Sequence, residues 1–413
     1  MNVLFISISS LPHVSEHGIS LDLIREFRRH GHNVYIICAL EKRENQETNI
    51  KEENGCKILR VRIGNNKRAN VIEKGITTIF LPEKFIAAIK EYYADIKFDL
   101  VLYPTPPVTQ VETVRYIKKR DGAKTYLLLK DIFPQNAVDL GMMSLSGLKS
   151  IIYRYFRNKE KQLYRVSDRI GCMSAANVEY VLDHNPEVKE RNDREKRKSG
   201  KSIIEVCPNC IEPIDTSISE EERIEIRKKY NIPLYKTVFI YGGNLGKPQG
   251  IEFMLKCLHS QRENDSAFFL IVGNGTEYGR IEEYVEKYKP KNMALYQWLP
   301  KEEYDKVAAA CDVGMIFLDH RFTIPNFPSR LLAYMQAKLP VLAVTDTTTD
   351  IGKVIVENGF GWWCGSNDVE FFIGKLLEIM SSQISIHGET GYQYLLKNYS
   401  VRNEYEIIMR DVG

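Results

Sequence analysis

Residues 241–255 read Tyr-Gly-Gly-Asn-Leu-Gly-Lys-Pro-Gln-Gly-Ile-Glu-Phe-Met-Leu. Gly242, Gly243, Gly246 and Gly250 form a glycine-rich turn between an apolar strand and a helical stretch. Such a turn lets the backbone approach a phosphate, and the helix start offers unpaired N–H groups with positive dipole. Lys247 adds a mobile cation. The spacing is neither a P-loop nor Gly-x-Gly-x-x-Gly, and glycine turns also arise for steric reasons alone. A second stretch spans residues 322–346. Pro328 fits the first turn of a helix beginning near Ser329. The N–H groups of Ser329, Arg330 and Leu331 are then expected to point out of the helix end, and Arg330 supplies charge for a diphosphate. The plain alternative is a capped helix with a surface arginine. Two anion-ready helix starts in one region favour the diphosphate.

A third stretch, residues 271–284, follows a strand with Gly273-Asn274-Gly275. It fits a nucleotide-contacting loop or an ordinary turn. Trp298, Leu299 and Tyr304 fall near a strand end where a flat base could lie, although burial in a core is the more ordinary explanation for the rings. In the N-terminal half, residues 9–20 make the first loop. Gly18 lets a sugar or diphosphate pass close to the backbone, flanked by Glu16 and His17. Lys130 and Asp131 close an apolar strand, where Asp131 can orient a hydroxyl, act as a base or cap a turn.

Other chemistries lack residues. No Gly-x-Ser-x-Gly, His-Glu-x-x-His or paired Cys-x-x-Cys set occurs, so no catalytic metal or other cofactor is expected. Cys207 and Cys210 stand alone as a Cys-x-x-Cys. The eight cysteines lie mostly in apolar runs, as reduced core thiols do. No run of 18 uncharged apolar residues exists, and the N-terminus reads as a first strand rather than a signal peptide, so a cytoplasmic protein is expected.

These residues need elements to hold them. The chain has 413 residues, 44% hydrophobic and 27% charged, enough for two packed cores. Apolar runs rich in Val, Ile and Phe alternate with helical segments, as in a parallel sheet covered on both faces. The series starts again after the polar stretch 212–236. The reading is therefore α/β: two Rossmann-like doubly wound domains, residues 1–210 and 211–385, facing a cleft, with a helical tail 386–413 that can pack back on the first domain. Ligands bind such sheets beyond the carboxyl ends of their strands. The net charge of +3 is uneven: residues 1–200 hold 34 Lys and Arg against 25 Asp and Glu. That excess suits an anionic membrane or a phosphate-bearing acceptor as readily as a solvated surface. Residues 186–201 are dense in charge and read as a solvated loop. They lack the aromatics of a nucleic-acid patch, so no nucleic-acid partner is expected. In residues 153–169, Tyr153, Phe156, Leu163 and Val166 form an apolar side for an anionic membrane or for the domain itself.

The motifs resemble those of retaining GT-B glycosyltransferases of family 4, in the branch of O-antigen and capsule assembly. The residues carrying the resemblance are Tyr241 to Gly250, Asp131-Ile132-Phe133-Pro134, Pro328-Ser329-Arg330-Leu331 and Pro208-Asn209. The resemblance implies a nucleotide-diphosphate sugar, commonly UDP-linked, on the second domain and a lipid-linked or saccharide acceptor on the first. It implies transfer with retention and without metal. Donor contacts would come from Gly18, Gly243, Asn244, Gly246, Gln249, Gly273, Gly275, Trp298, Leu299, Pro328, Ser329 and Leu331. Asp131, Lys247 and Arg330 would be catalytic, and Glu16, His17 and Lys130 would lie on the acceptor side. Two glutamates common in the family are replaced by Pro325 and Ala333. That loss keeps a non-catalytic partner subunit as one alternative; a nucleotide-sugar 2-epimerase is another.

Overall fold

The computed structural model describes residues 1–65, 71–147, 150–410 and 412. The chain forms two compact units. One comprises Met1–Glu212 with Val401–Gly413, and the other Pro213–Ser400.

The first unit holds β1 (Asn2–Ser7), β2 (Asn33–Glu41), β3 (Asn49–Glu53), β4 (Cys56–Ile63), β5 (Leu100–Pro104), β6 (Lys124–Leu129), β7 (Arg169–Cys172) and β8 (Ile204–Val206). They lie in the order β3-β4-β2-β1-β5-β6-β7-β8. All pairs are parallel except β3 with β4. The second unit holds β9 (Thr237–Asn244), β10 (Ala267–Asn274), β11 (Met293–Tyr296), β12 (Val313–Phe317), β13 (Val341–Thr345) and β14 (Gly361–Gly365). Their order, β11-β10-β9-β12-β13-β14, places the first strand of the series beside the fourth. Strand order reverses there, so the carboxyl ends of β9 and β12 flank a crevice. The same reversal lies between β1 and β5 in the first sheet.

Most strands are buried on both faces, as their continuous apolar runs predict, while β3 is largely exposed and β11 half-buried. Two features depart from the sequence reading. The hairpin β3–β4 was not expected, although Asn54 and Gly55 at its turn both have positive φ, the two-residue turn that Asn-Gly favours. Residues 186–201, read as a loop, are mostly a helix, Pro186–Ser199. Pro186 opens it, Gly200 closes it in the left-handed conformation, and Val188 and Asn192 are buried beneath it. Asn192 Oδ1 accepts the Ile203 N–H at 3.0 Å, fixing the helix to the chain entering β8.

The helix Ser150–Val166 turns the anticipated apolar side inward. Leu163 is fully buried, and Phe156 meets Phe133 edge-on at 5.1 Å. Its outward side instead shows Ile151, Ile152 and Tyr155, and Met142 and Leu145 of the preceding loop are exposed as well. Arg157 is engaged internally, donating to Glu160 at 2.6 Å and Asn185 at 2.8 Å.

The last helix, Val401–Met409, belongs to the first unit. Val401 and Ile408 join its core. The Tyr405 ring stacks on His30 at 3.9 Å and meets Phe27 edge-on at 4.9 Å. Glu404 is buried among Lys130, Asp22 and the Cys210 N–H. Burial pushes its carboxyl well up, with Lys130 opposing. Burial also lowers the Lys130 ammonium, with Glu404 opposing.

A carboxyl raised on folding takes up a proton that the unfolded chain has released. Its stabilising protonated form is fully present below about pH 4.3 and is lost as pH climbs towards the raised value. Urea unfolding from pH 5 to pH 8 should therefore show stability falling more steeply in the native protein than in Glu404→Gln. Parallel curves would assign Glu404 no part in the pH response.

Candidate active site

At the reversal point of the second sheet, the helix Arg330–Gln336 lies over the ends of β9 and β12. Tyr334 reaches between them. Its hydroxyl accepts the Gly242 N–H at 3.0 Å and faces the carbonyls of Met315 at 3.1 Å and Ile240 at 3.2 Å. Burial raises this hydroxyl to about 12, so it stays neutral and retains its proton. One turn earlier on the same helical face, the Arg330 guanidinium carbon lies 4.2 Å from the centre of the Tyr241 ring. One guanidinium nitrogen, Nη1, is buried with no hydrogen-bond partner. The other, Nη2, is 3.4 Å from where a side chain on Gly243 would begin. Gly243 has φ of 120°, which favours glycine on backbone grounds as well.

The glycine-rich turn is braced from within. Gln249 Oε1 accepts the Gly246 N–H at 3.1 Å and the Asn244 amide at 3.0 Å. The Tyr241 hydroxyl donates to the Asn244 carbonyl at 2.7 Å. Gln249 and Asn244 thus shape the turn. Gly243 and Lys247 are its exposed members with no such bracing role. Gly273 and Gly275 have a packing cause: a side chain on either would strike the backbone of Gly243 or Leu245. Gly242 needs its bare backbone because the Tyr304 hydroxyl occupies the space beside it.

The helix start differs from the expected one in detail. The Leu331 N–H closes a turn onto the Pro328 carbonyl at 3.2 Å, and the Leu331 side chain is fully buried. Ser329 remains exposed and Pro328 half-buried. Trp298 is 72% exposed rather than packed in the core, with Leu299 half-buried beside it.

In the first unit, the first loop wraps a guanidinium. Arg25 donates to the carbonyls of Val14 at 2.7 Å and Glu16 at 2.6 Å, and to Asp22 at 2.5 Å. Asp22 also accepts the N–H groups of Gly18 at 3.0 Å and Glu212 at 2.8 Å. The Gly18 N–H is therefore already engaged. Its φ of 171° is ordinary extended backbone, and a side chain there would meet nothing within 4 Å. Nothing in the chain itself calls for glycine at this position.

Ligand atoms of His17, Asp22 and Glu212 lie within 4.8 Å of one another, spacing that would suit a cation. Arg25 bonds both carboxylates and lies 3.3 Å from His17 Nδ1. The positive charge at that point is its guanidinium. Glu16 and His17 are exposed on the loop. Asp131 stands exposed after β6, its backbone tied to the Thr105 hydroxyl at 3.1 Å and 3.4 Å. Glu404 is the largest of the charges that oppose the burial of Lys130.

Residues 222–392 match the family model described as Glycosyl transferases group 1. The protein is a glycosyltransferase. It is similar to the probable glycosyltransferase WbjE of Pseudomonas aeruginosa, 26% identical over 337 residues, covering 81% of this chain and 79% of the relative. It is also similar to the putative colanic acid biosynthesis glycosyl transferase WcaI of Escherichia coli, 23% identical over 264 residues, covering 62% and 60%. Among solved structures, Anabaena Alr3699/HepE in complex with UDP and glucose superposes with a TM-score of 0.64 at 12% identity, covering 99% of this chain and 98% of that one. The chain has the GT-B fold, and the residues that match the family model include Gly243, Lys247, Trp298 and Arg330. The sequence reading missed Tyr241 as the seat of Arg330 and Tyr334 as the clamp of its helix. The Arg330-x-x-x-Tyr334 spacing was the available signal.

Gly242→Ala should destabilise the glycosyltransferase by roughly 1–3 kcal/mol, the usual cost of overpacking. Adding Tyr304→Ala should recover part of that loss. Equal midpoints of thermal unfolding for wild type and Gly242→Ala would show that Tyr304 yields freely.

Proposed function

We propose that the enzyme transfers a sugar, with retention at the anomeric carbon, from a UDP-linked donor to a lipid-linked or saccharide acceptor in surface polysaccharide assembly. The observation that carries this reading is Arg330, whose buried Nη1 has no partner and whose Nη2 adjoins Gly243. An unneutralised guanidinium beside bare backbone is a seat for a diphosphate. As the donor bond breaks, charge grows on the departing diphosphate. Arg330 and the mobile Lys247 stabilise that charge without a metal. Exposed Trp298 offers a ring on which a base can stack. The complex of HepE with UDP and glucose supports a uridine donor, and the colanic acid assignment of WcaI supports a polysaccharide product. Asp131, exposed at the carboxyl end of β6, orients the acceptor hydroxyl.

UDP should raise the melting temperature by mass action, without added magnesium. Arg330→Ala should weaken UDP binding about ten- to a hundred-fold, as expected for a charge-assisted hydrogen bond of roughly 1.5–3 kcal/mol. Tyr241→Leu should weaken it less, through the loss of a cation–π contact of about 0.5–2 kcal/mol. Undiminished UDP affinity in Arg330→Ala would sink the diphosphate seat.

A lipid-linked acceptor calls for contact with a membrane surface. Among the described residues, no helix is long and apolar enough to cross one. Ile151, Ile152, Tyr155, Met142 and Leu145 give the first unit an exposed apolar patch, with Arg154 and Lys161 exposed on the same helix for anionic headgroups. Ile151→Glu with Ile152→Glu should abolish sedimentation with vesicles containing anionic lipid while leaving UDP binding intact. Unchanged sedimentation would remove this patch from the reading.

A further inference from the structure

The charge-dense helix Pro186–Ser199 takes no part in the site described above, yet it walls a cavity of about 260 Å³ in the first unit. The cavity lies where β6 and β7 begin, at the opposite edge of the sheet from Asp131. Lys124 opens β6, Arg165 ends the helix Ser150–Val166, Arg169 opens β7, and Arg191 comes from the charge-dense helix.

Two carboxylates also line the cavity, and both are engaged. Asp168 accepts Lys118 at 2.7 Å on one oxygen. On the other it accepts the Thr125 N–H at 3.0 Å and hydroxyl at 2.9 Å. Glu195 accepts the Ser199 hydroxyl at 2.8 Å. Of the cations, Arg165 pairs with Glu187 at 2.6 Å, and Arg169 donates to the Ser202 carbonyl. Arg191 donates one nitrogen to the Arg165 carbonyl at 3.0 Å. Its Nη2 is buried with no partner, and burial lowers its pKa. Among the described residues, Lys124 makes no ion pair. A buried guanidinium nitrogen with nothing to bond to is costly. An anion with several acceptor oxygens would meet Arg191 where it lines the cavity, and Lys124 as well. The volume is below that of usual drug-sized pockets, which selects a small ligand.

We propose that this cavity binds a small phosphomonoester dianion, away from the donor and acceptor residues. It is tested in the Arg330→Ala protein, so that the proposed diphosphate seat cannot report phosphate binding. Melting temperature is followed against glycerol phosphate and inorganic phosphate, at an ionic strength held constant with chloride. The expected result is a saturable rise in the Arg330→Ala protein. Adding Arg191→Gln should abolish the rise, and adding Lys124→Gln, at an exposed position, should weaken binding at least several-fold. No rise, or an equal rise in all three proteins, would overturn the proposal. Phosphatidic acid vesicles carry the same monoester on a lipid. If they alone are bound, and Arg191→Gln releases them, the small-molecule ligand is overturned in favour of a headgroup.

Discussion

The geometry around Arg330 depends on one hydroxyl. Tyr334 reaches the gap between β9 and β12 and takes the Gly242 N–H there. A parallel sheet whose order reverses leaves backbone groups at that gap, and buried backbone groups need partners. Gly314 makes room for the Tyr334 ring, since a side chain there would strike it. The helix Arg330–Gln336 is thereby held against β9, and its first residue lies over Tyr241. Arg330 is thus placed by sheet topology acting through a tyrosine one helical turn away.

The same constraint separates two kinds of glycine. Gly242, Gly273, Gly275 and Gly314 are required by neighbours within the chain. Gly18 is not, because the space around it is open and its backbone is ordinary. Gly243 is intermediate, with a positive φ and Arg330 near by. Sequence spacing cannot distinguish these cases, because each looks like a glycine after a strand. Gly273-Asn274-Gly275, which fits a ligand loop or an ordinary turn, shows this. Its glycines answer to the close register of β10 with β9, in which Gly273 lies opposite Gly243.

Much of the fold was legible because continuous apolar strands and helical periods are local signals. The β3–β4 hairpin was legible too, in Asn54-Gly55, but its strand Asn49–Glu53 is polar and offers no apolar run. The charge-dense helix was missed because its inward residues are only Val188 and Asn192. Its boundaries rest instead on Pro186 and Gly200, which read equally well as loop residues. Glu404 and Lys130 are far apart in sequence, and no spacing rule connects them. The same holds for Tyr304 against Gly242.

Buried charge is where the structure adds most to the sequence. The chain buries several guanidinium groups and neutralises most of them. Arg227 bonds Asp312 at 2.8 Å and the carbonyls of Ala310 at 2.8 Å and Pro233 at 3.1 Å. Arg25 and Arg157 are likewise matched by carboxylates. A matched pair balances its own desolvation and asks for nothing further. Arg330 has only aromatic company at its buried nitrogen. A cation–π contact offsets part of the lost hydration of a cation, but it supplies no hydrogen-bond acceptor. Arg28, Arg60 and Arg191 also leave one buried nitrogen unmet, but each donates elsewhere to a carbonyl or carboxylate. The aromatic-only setting of Arg330 sets it apart from them. It is the physical reason for reading that helix start as a place for an anionic ligand rather than as a packed corner.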